Sequence, residues 1–246
     1  FTDNNRNTSS IIGIKNDDRI RHAFEMNGNL YLLGAKYLWQ YNAQTQQLDS
    51  VIAADMYQWA IARDGLIWLF KPYNNVWTYN PATKVLSDAK FEAKADCVKL
   101  SNGCFYYHVM GKGIAYIDEK GQQSPLKANR PFNQFTLNFE VVKDKLLIEN
   151  GNTFDCYVID QKSKSLTYKS TINLTAVFRD MPILQILSDG QHLYLYTGSY
   201  LIEIEFSDNL VPVIVKRQLY LGQWRIQGTV ILVGKDHFVI DRGNTA

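Results

Sequence analysis

The sequence predicts an all-β fold: a six-bladed β-propeller in which each blade is a four-stranded antiparallel sheet. Three observations lead to this prediction. A turn dipeptide recurs at steps of about forty residues, two apolar runs of strand length follow each turn, and no segment of the 246 residues has a sustained helical period. A repeat of about forty residues containing four short strands is typical of a propeller blade.

The recurring turns define the repeat. Aligned on their second residue, they follow one another at steps of 37, 38, 41, 46 and 38 residues. They are Asn27-Gly28, Asp64-Gly65, Asn102-Gly103, Lys143-Asp144, Asp189-Gly190 and Gln227-Gly228. Asn-Gly and Asp-Gly pairs favour two-residue hairpin turns, because those turns need positive φ at both central positions. Each turn is therefore predicted to join the first two strands of a blade.

The runs after each turn supply the next strands. The second strands are predicted in "NLYLLG", "LIWLF", "CFYYHV", "KLLIEN", "QHLYLY" and "TVILVG". The third strands, each closed by a polar residue, are predicted in "YLWQYN", "NVWTYN", "IAYID", "CYVID", "LIEIEFS" and "FVID". Tyr, Trp, Ile, Leu and Val are enriched in strands. A polar tail such as "PATKVLSDAKF" then fits the outer strand. Since Trp68 and Trp77 occupy repeated positions, they are predicted to pack blades rather than bind a ligand.

The two chain ends suggest how the ring closes. The sixth copy stops after three strands at "HFVIDRGNTA", and the N-terminus has a spare run, "SSIIGIKN", before the first inner strand "RIRHAFEM". We expect this run to complete the sixth blade and cover its exposed edge. A ring of seven blades is the alternative. Residues 1–246 are interpreted as a single propeller domain, expected to be a fragment of a longer protein.

Composition excludes several classes of function. Lys plus Arg total 26 against 24 for Asp plus Glu, a formal charge of +2, so nucleic-acid binding is disfavoured. No apolar run is long enough to span a membrane, and we expect membrane attachment only through a segment absent from this chain. Three cysteines, Cys97, Cys104 and Cys156, lack CxxC spacing and are predicted to be buried free thiols.

Motifs for catalysis, metals or cofactors are missing from the sequence. The four histidines belong to different repeats, and neither HExxH nor Gly-x-Ser-x-Gly occurs. We therefore expect a non-enzymatic protein with no cofactor and no metal. Charged residues are expected around the axis: Asp17, Asp18, Asp55, Asp96, Glu140 and Asp180, with Arg19, Arg130, Arg179 and Arg225. Scattered opposite charges more often form solvated pairs than an acid/base couple.

Binding is better supported than catalysis. Loops on one face of the ring combine aromatic rings with amide and guanidinium groups, in "ADMYQW", "KPYNN", "ANRPFNQF", "NLTAVFRDMP" and "LYLGQW". Such groups stack on sugar rings or peptides and bond their hydroxyls or carbonyls. The candidate ligand-binding residues are Trp59, Tyr73, His108, Arg130, Phe132, Arg179 and Trp224. For Trp59 and Trp224, packing between blades is an equal alternative, and His108 is chosen for the "MGKG" loop beside it.

The best-preserved repeat resembles the two-component-regulator propeller repeat. Asp64, Gly65, Ile67, Trp68, Tyr79, Asn80, Pro81 and Thr83 carry the resemblance, and Tyr41, Asn42 and Thr45 carry it in the first copy. Kelch-like and quinoprotein-like repeats are near neighbours. The resemblance implies a periplasmic or extracellular sensor segment, common in gut Bacteroidetes, placed ahead of a membrane helix and a kinase or DNA-binding output.

The resemblance also implies recognition of glycan fragments. We therefore expect a non-enzymatic extracytoplasmic sensor whose ligand is a small glycan or peptide and whose binding is coupled to signalling. The first alternative is a scaffold or dimerisation propeller that binds a protein partner or a second copy. The second is a propeller hydrolase or lyase, which requires two carboxylates, or a histidine and a carboxylate, within hydrogen-bond reach at the axis.

Overall fold

The described part of the chain consists of strands and turns. The computed structural model describes residues 18–42, 44–45, 47–72, 75–92, 98–109, 111–133, 138–150, 153–173, 185–197, 200–206, 213–220, 229–232 and 238–241. These ranges form 23 strands and no helix. The predicted all-β class is confirmed.

The first three blades are regular four-stranded antiparallel meanders. Blade 1 comprises β1 (His22–Met26), β2 (Asn29–Leu33), β3 (Tyr37–Asn42) and β4 (Gln47–Ala53). Blade 2 comprises β5 (Trp59–Arg63), β6 (Leu66–Phe70), β7 (Asn75–Asn80) and β8 (Val85–Glu92). Blade 3 comprises β9 (Val98–Ser101), β10 (Cys104–Val109), β11 (Gly113–Ile117) and β12 (Gln123–Pro125).

The fourth and fifth blades follow the same order, with one addition. A short strand, β13 (Lys127–Ala128), pairs in parallel with the outer edge of blade 4. Blade 4 further comprises β14 (Phe139–Val142), β15 (Lys145–Asn150), β16 (Thr153–Asp160) and β17 (Ser165–Ile172). Blade 5 comprises β18 (Gln185–Ser188), β19 (Leu193–Tyr196), β20 (Tyr200–Phe206) and β21 (Val213–Tyr220). A two-stranded sheet ends the described chain, with β22 (Thr229–Leu232) and β23 (Phe238–Asp241).

The sheets form a propeller-like ring with the first strand of each blade innermost. Strand β1 contacts β5, β14 contacts both β9 and β18, and β22 contacts both β18 and β1. The structure shows five complete blades, not the predicted six or the alternative seven. The difference arises because the remaining strands predicted for the sixth blade, in "SSIIGIKN" and beside Trp224, lie outside the described residues. Only the β22–β23 sheet is described at the sixth place.

Several of the predicted hairpin turns have the positive φ angles that Asn-Gly and Asp-Gly pairs favour. Three of the four Asn-Gly and Asp-Gly turns have positive φ at both central residues: 52° and 75° at residues 27 and 28, 55° and 73° at residues 64 and 65, and 48° and 72° at residues 102 and 103. In the fourth, Asp189-Gly190, only Gly190 has positive φ, at 85°. Positive φ at both positions matches the twist of the strands that the turn joins. The interpretation of these dipeptides as first-hairpin turns is confirmed.

The polar residue that closes each third strand forms the next turn. The side-chain oxygen of Asn80 accepts hydrogen bonds from the backbone N–H groups of Ala82 and Thr83, at 2.9 and 3.2 Å. The equivalent oxygens of Asn42, Asp118 and Asp160 accept two backbone N–H groups each. Asn and Asp favour turns because their side chains can bond the backbone two residues on. These repeated polar residues are therefore structural.

The hydrophobic core lies between neighbouring blades. One cluster joins blades 1 and 2 around Leu38 and Leu69, and another joins blades 2 and 3 around Phe70 and Phe105. Similar clusters join blades 3 and 4 and blades 4 and 5. Burying a Leu or Phe side chain contributes roughly 1.5–3 kcal/mol. Each blade is thus stabilised mainly by the blades beside it.

Trp68 and Trp77 both pack between blades. The Trp68 ring lies 5.0 Å from the Phe105 ring of blade 3, and its Nε1 donates to the Arg63 carbonyl at 3.3 Å. Trp77 packs against the cluster that joins blades 1 and 2. The prediction that these residues are blade packing is confirmed.

Two of the three cysteines are buried free thiols, as predicted. They are Cys104 and Cys156, whereas Cys97 lies outside the described residues. Burial raises the pKa of the Cys156 thiol to about 12, which keeps it protonated and unreactive at neutral pH.

Candidate functional site

Four side chains meet where the innermost strands of blades 1 to 4 lie side by side. They are His22 on β1, Trp59 on β5, Lys99 on β9 and Glu140 on β14, and we call them the axis cluster. The His22 and Trp59 rings lie 4.8 Å apart. Lys99 Nζ lies 5.4 Å from the centre of the Trp59 ring and 2.5 Å from Glu140 Oε1. A chain of contacts thus passes from blade 1 to blade 4.

The strand register places buried, mostly apolar side chains next to the axis cluster. Opposite residues of an antiparallel pair place their side chains on the same face. The partners of Trp59, Lys99 and Glu140 on the second strands are Phe70, Tyr106 and Leu147, all of which are buried. The polar groups therefore lie against a wall of low polarity, where charges interact more strongly than in water.

Glu140 is a buried carboxylate of which one oxygen accepts a hydrogen bond and the other does not within the described chain. It is 7% exposed; Oε1 accepts from Lys99, and Oε2 has no hydrogen-bond partner among the described residues. Burial raises the pKa of Glu140, and the charge of Lys99 opposes this effect. Lys99 is thus what favours the ionised form of the carboxylate.

His22 is neutral at physiological pH. Burial, with the charge of Lys99 as a second cause, lowers the pKa of His22 to about 4, and a hydrogen bond to the Ala60 backbone only partly opposes this. Its Nδ1 is buried without a hydrogen-bond partner among the described residues. A neutral imidazole has one donor and one acceptor nitrogen. The cluster therefore has two unused polar atoms, one on His22 and one on Glu140.

The end of the axis nearest the first-hairpin turns is closed between blades 3, 4 and 5. The Ser101 hydroxyl faces two carbonyl oxygens, that of Gly190 at 2.8 Å and that of Lys143 at 3.1 Å. The Lys143 N–H also donates to the Gly190 carbonyl, at 2.8 Å. Gly190 has φ of 85°, and a Cβ there would lie 2.3 Å from the Leu100 carbonyl oxygen. This end of the axis is therefore tightly packed between blades 3, 4 and 5, whereas His22 and Trp59 stand at the opposite ends of their inner strands.

The structure brings one predicted site residue, Trp59, into the axis cluster. His108 instead lies within β10, opposite Ile114, and is 1% exposed, so it does not lie on the loop face as expected. The physical reason is that the run "CFYYHV" is one continuous buried strand. Tyr73, Arg179 and Trp224 lie outside the described residues.

Arg130 and Phe132 hold a crossing segment to blade 4. After β13, the Asn129 side chain accepts the Tyr168 N–H at 2.8 Å, and the Arg130 guanidinium lies 4.1 Å from the centre of the Tyr168 ring. Phe132 packs edge-on against Tyr157, with ring centres 5.8 Å apart. These contacts give both residues a structural role in fastening blade 3 to blade 4.

The carboxylates expected around the axis have different roles. Asp18 is buried at the start of blade 1 and accepts hydrogen bonds from Lys36 N, Tyr37 N and Trp39 Nε1, at 2.8, 3.1 and 2.8 Å. Asp55 is exposed and pairs with Lys71. Glu140 alone of this set joins the axis cluster, and Asp17, Asp96 and Asp180 lie outside the described residues.

Among the described residues, few carboxylates or metal-ligating side chains lie at the axis. The described innermost strands carry two carboxylates, Glu140 and Glu25, and Glu25 is exposed. No described group of three or more His, Cys, Asp or Glu side chains could hold a metal ion. Nor does the described chain contain a helix long and apolar enough to cross a membrane.

Sequence reasoning missed Lys99 and His22 as site residues. Both lie on inner strands at positions where the repeat carries no fixed residue type, in "VKLS" and "HAFEM". The signal that could have found them is a polar residue inside an inner strand, since the neighbouring strand positions are filled by apolar side chains.

No protein-family model and no curated protein sequence matches the chain. Its fold is similar to the extracellular domain of a hybrid two-component system from B. thetaiotaomicron, at 10% identity and a TM-score of 0.54 over 85% of this chain and 29% of that one. It is also similar to an auxiliary nutrient binding protein from Bacteroides thetaiotaomicron, at 13% identity and a TM-score of 0.53 over 80% and 56%.

A third similar structure belongs to a different biological setting. A chain of a mitotic checkpoint complex matches with 11% identity and a TM-score of 0.53, over 86% of this chain and 65% of that one. The resemblance of the repeat motif to sensor propellers thus agrees with the fold comparison. Fold alone is shared among these proteins, so function has to be argued from the site.

Proposed function

We propose that this chain is a non-enzymatic propeller that binds a small glycan or peptide outside the cytoplasm, in the periplasm or at the cell exterior, and acts as part of a sensor. The observation that carries the proposal is the axis cluster. It combines an aromatic ring, an ion pair and two unused polar atoms, at the end of the axis opposite the closed turns. Binding sites typically combine apolar walls with a few placed polar groups.

The fold neighbours support the extracytoplasmic part of the proposal. One is an extracellular domain of a two-component system and another is a nutrient binding protein. This chain spans less than a third of the first and about half of the second. Coupling of ligand binding to signalling through segments outside this chain, including a membrane helix, is part of the same proposal.

A calorimetric titration tests the proposed function. A panel of neutral and charged disaccharides and short peptides is titrated against the wild type, Lys99→Met and Lys169→Met. Lys169 is exposed on the outer strand of blade 4, so its variant is a matched control for the loss of one positive charge. We expect a ligand that binds the wild type and Lys169→Met but binds Lys99→Met at least about tenfold more weakly. Equal affinity for all three proteins would contradict the assignment of the site.

We also propose that the β22–β23 sheet belongs to a sixth blade completed by the N-terminal run. The contacts of β22 with both β18 and β1 support this. Removing residues 1–17 is then expected to expose a sheet edge and lower the melting temperature by several degrees, because closure covers edges that otherwise pair with other chains. An unchanged melting temperature would exclude closure by this segment.

A further inference from the structure

The outer strand of blade 2 is the last strand of its sheet among the described residues. The sheet order is β5-β6-β7-β8, and no described strand lies beyond β8. Val85 and Leu86, at the start of β8, are 52% and 41% exposed, and they are two of the four large apolar side chains that are exposed in the described residues. Strand edges with exposed apolar side chains are places where other strands can add. The edge of β8 is therefore a candidate interaction surface.

Blade 4 shows how an outer strand of this protein binds a further strand. Strand β13 pairs in parallel with the start of β17. The N–H groups of Lys127 and Asn129 donate to the carbonyl oxygens of Lys164 and Leu166, both at 3.0 Å. The backbone groups of Leu166 therefore point away from the rest of their sheet, toward the added strand.

The start of β8 has the same backbone arrangement as the start of β17. Leu86 and Leu166 each pair with the residue that precedes the closing Asn or Asp of the third strand. Lys84 and Lys164, two residues earlier, both have positive φ, at 58° and 55°. Because the backbone groups of a strand point alternately to its two sides, Leu86 and Asp88 direct theirs to the outer edge. The edge of β8 can therefore bind a strand as β17 does.

A β-bulge limits the length of this edge. The pairing of β7 with β8 shifts register between Asn75 and Trp77, and Lys90 on β8 has φ of 58°. Asp88 Oδ1 accepts the Lys90 N–H at 2.7 Å, which holds the bulge in place. Bulges interrupt regular pairing along an edge strand. The regular part of the edge therefore runs only from Val85 to Asp88.

This short edge is complementary to itself. In an antiparallel pair of two β8 strands centred on Leu86, the exposed Lys84 of each copy lies opposite the exposed Asp88 of the other. Opposite charges placed directly across a strand pair stabilise it, whereas like charges destabilise it. The two Leu86 side chains meet at the twofold axis and are removed from water together. On the outer strand of blade 1, Ser50 stands at the position of Asp88, so that edge lacks this charge pair.

We propose that the outer strand of blade 2 binds the same strand of a second copy, so that two blades join into one continuous sheet across a twofold axis. The Leu86 N–H and C=O of each copy pair with those of the other, and the Asp88 N–H donates to the Lys84 carbonyl. The same patch serves both copies, so the contact closes as a dimer. Because the paired segment is short, the dimer is in a concentration-dependent equilibrium with the monomer. This surface lies at the rim of the ring and does not depend on the proposed ligand binding at the axis.

Sedimentation velocity across a concentration series tests the dimer. From about 5 µM to about 1 mM, the wild type should pass from the mass of one chain, 28.3 kDa, toward twice that mass. Lys84→Glu places carboxylates opposite each other and Asp88→Lys places ammonium groups opposite each other, so each should raise the dissociation constant at least about tenfold. An equimolar mixture of the two variants should restore the dimer, because every carboxylate of one chain then faces an ammonium group of the other.

Lys164→Glu is the matched control. Lys164 is exposed and holds the equivalent place on blade 4, where β13 already covers the edge, so this variant should dimerise like the wild type. Circular dichroism checks that each variant is folded, and if Asp88→Lys disturbs the bulge, the comparison of Lys84→Glu with Lys164→Glu decides alone.

Three results would overturn the proposal. The first is a wild type that keeps the mass of one chain up to about 1 mM. The second is a dimer that Lys84→Glu leaves unchanged, or that Lys164→Glu weakens equally, since the contact would then lie on another surface. The third is a mixture of two folded charge variants that stays monomeric, because the register centred on Leu86 requires their charges to be complementary.

Discussion

Replacing Lys99 by Met should destabilise the protein by leaving Glu140 as an uncompensated buried carboxylate. Removing one partner of a buried pair costs roughly 3–5 kcal/mol. The side chains are 19% and 9% exposed, so some solvent screening remains, and we expect a loss of about 2–3 kcal/mol at pH 8. Urea unfolding followed by tryptophan fluorescence measures this difference.

The pH dependence of this effect follows from the raised pKa of Glu140. A folded-state pKa above the unfolded value means that stability is present at low pH and is lost as the pH rises through the folded pKa. In the wild type Lys99 offsets this loss, whereas in Lys99→Met it does not. The gap between the two proteins is therefore expected to be small near pH 4 and to widen toward pH 8.

A double variant separates the ion pair from side-chain packing. Lys99→Met with Glu140→Met replaces the pair by apolar side chains of similar length, which is often close to neutral for stability. We expect the double variant to lie within about 1 kcal/mol of the wild type and above Lys99→Met alone. A double variant as unstable as the single one, or a single variant as stable as the wild type, would refute the reasoning.

Three further predictions concern single positions. Because the pKa of His22 falls from 6.5 to about 4, its contribution to stability is present above pH 6.5 and is lost as the pH falls toward 4. His22→Phe should therefore flatten the acid limb of the stability curve by roughly 3 kcal/mol. An unchanged acid limb would show that His22 titrates normally. Gly190→Ala should lower the free energy of unfolding in urea by roughly 2–4 kcal/mol, because its Cβ would collide with the Leu100 carbonyl. Gly65→Ala is the control, since Gly65 has a similar φ but open space around it, and it should cost about 1 kcal/mol. Equal costs would argue against the tight contact at Gly190. Asp18→Ala removes three accepted hydrogen bonds and should lower the free energy of unfolding by roughly 2–4 kcal/mol. The fluorescence emission of Trp39 should shift, because its Nε1 loses its acceptor. A variant as stable as the wild type would contradict the role of Asp18 in blade 1.

Local signals in the sequence were enough to predict the repeat. Asn27-Gly28, Asp64-Gly65 and Asn102-Gly103 dictate their turns because few other dipeptides tolerate positive φ twice. Asn80 and its equivalents mark the next turn through their own side-chain hydrogen bonds. Both features depend on neighbours within a few residues, so pattern reasoning finds them. The packing role of Trp68 follows from the same repetition.

Contacts between distant segments were not predictable in the same way. The strand Lys127–Ala128 has no strand signal, and it forms because the outer edge of blade 4 offers free backbone groups. Arg130 and Phe132 remain predicted ligand contacts, and their packing against Tyr168 and Tyr157 was not part of that prediction. The axis cluster was missed for a related reason: Lys99 and Glu140 are 41 residues apart, and only the ring brings their strands together.

Imidazole NMR of His22 tests the central claim most directly. His22 signals are assigned by comparison with His22→Gln, and a neutral disaccharide that binds in calorimetry is then titrated in. The proposed site predicts that the His22 nitrogen signals shift with the same dissociation constant, while those of buried His108 and of His192, which pairs with Asp189, stay in place. Binding that leaves His22 unchanged and moves only other histidines would contradict a ligand site at the axis.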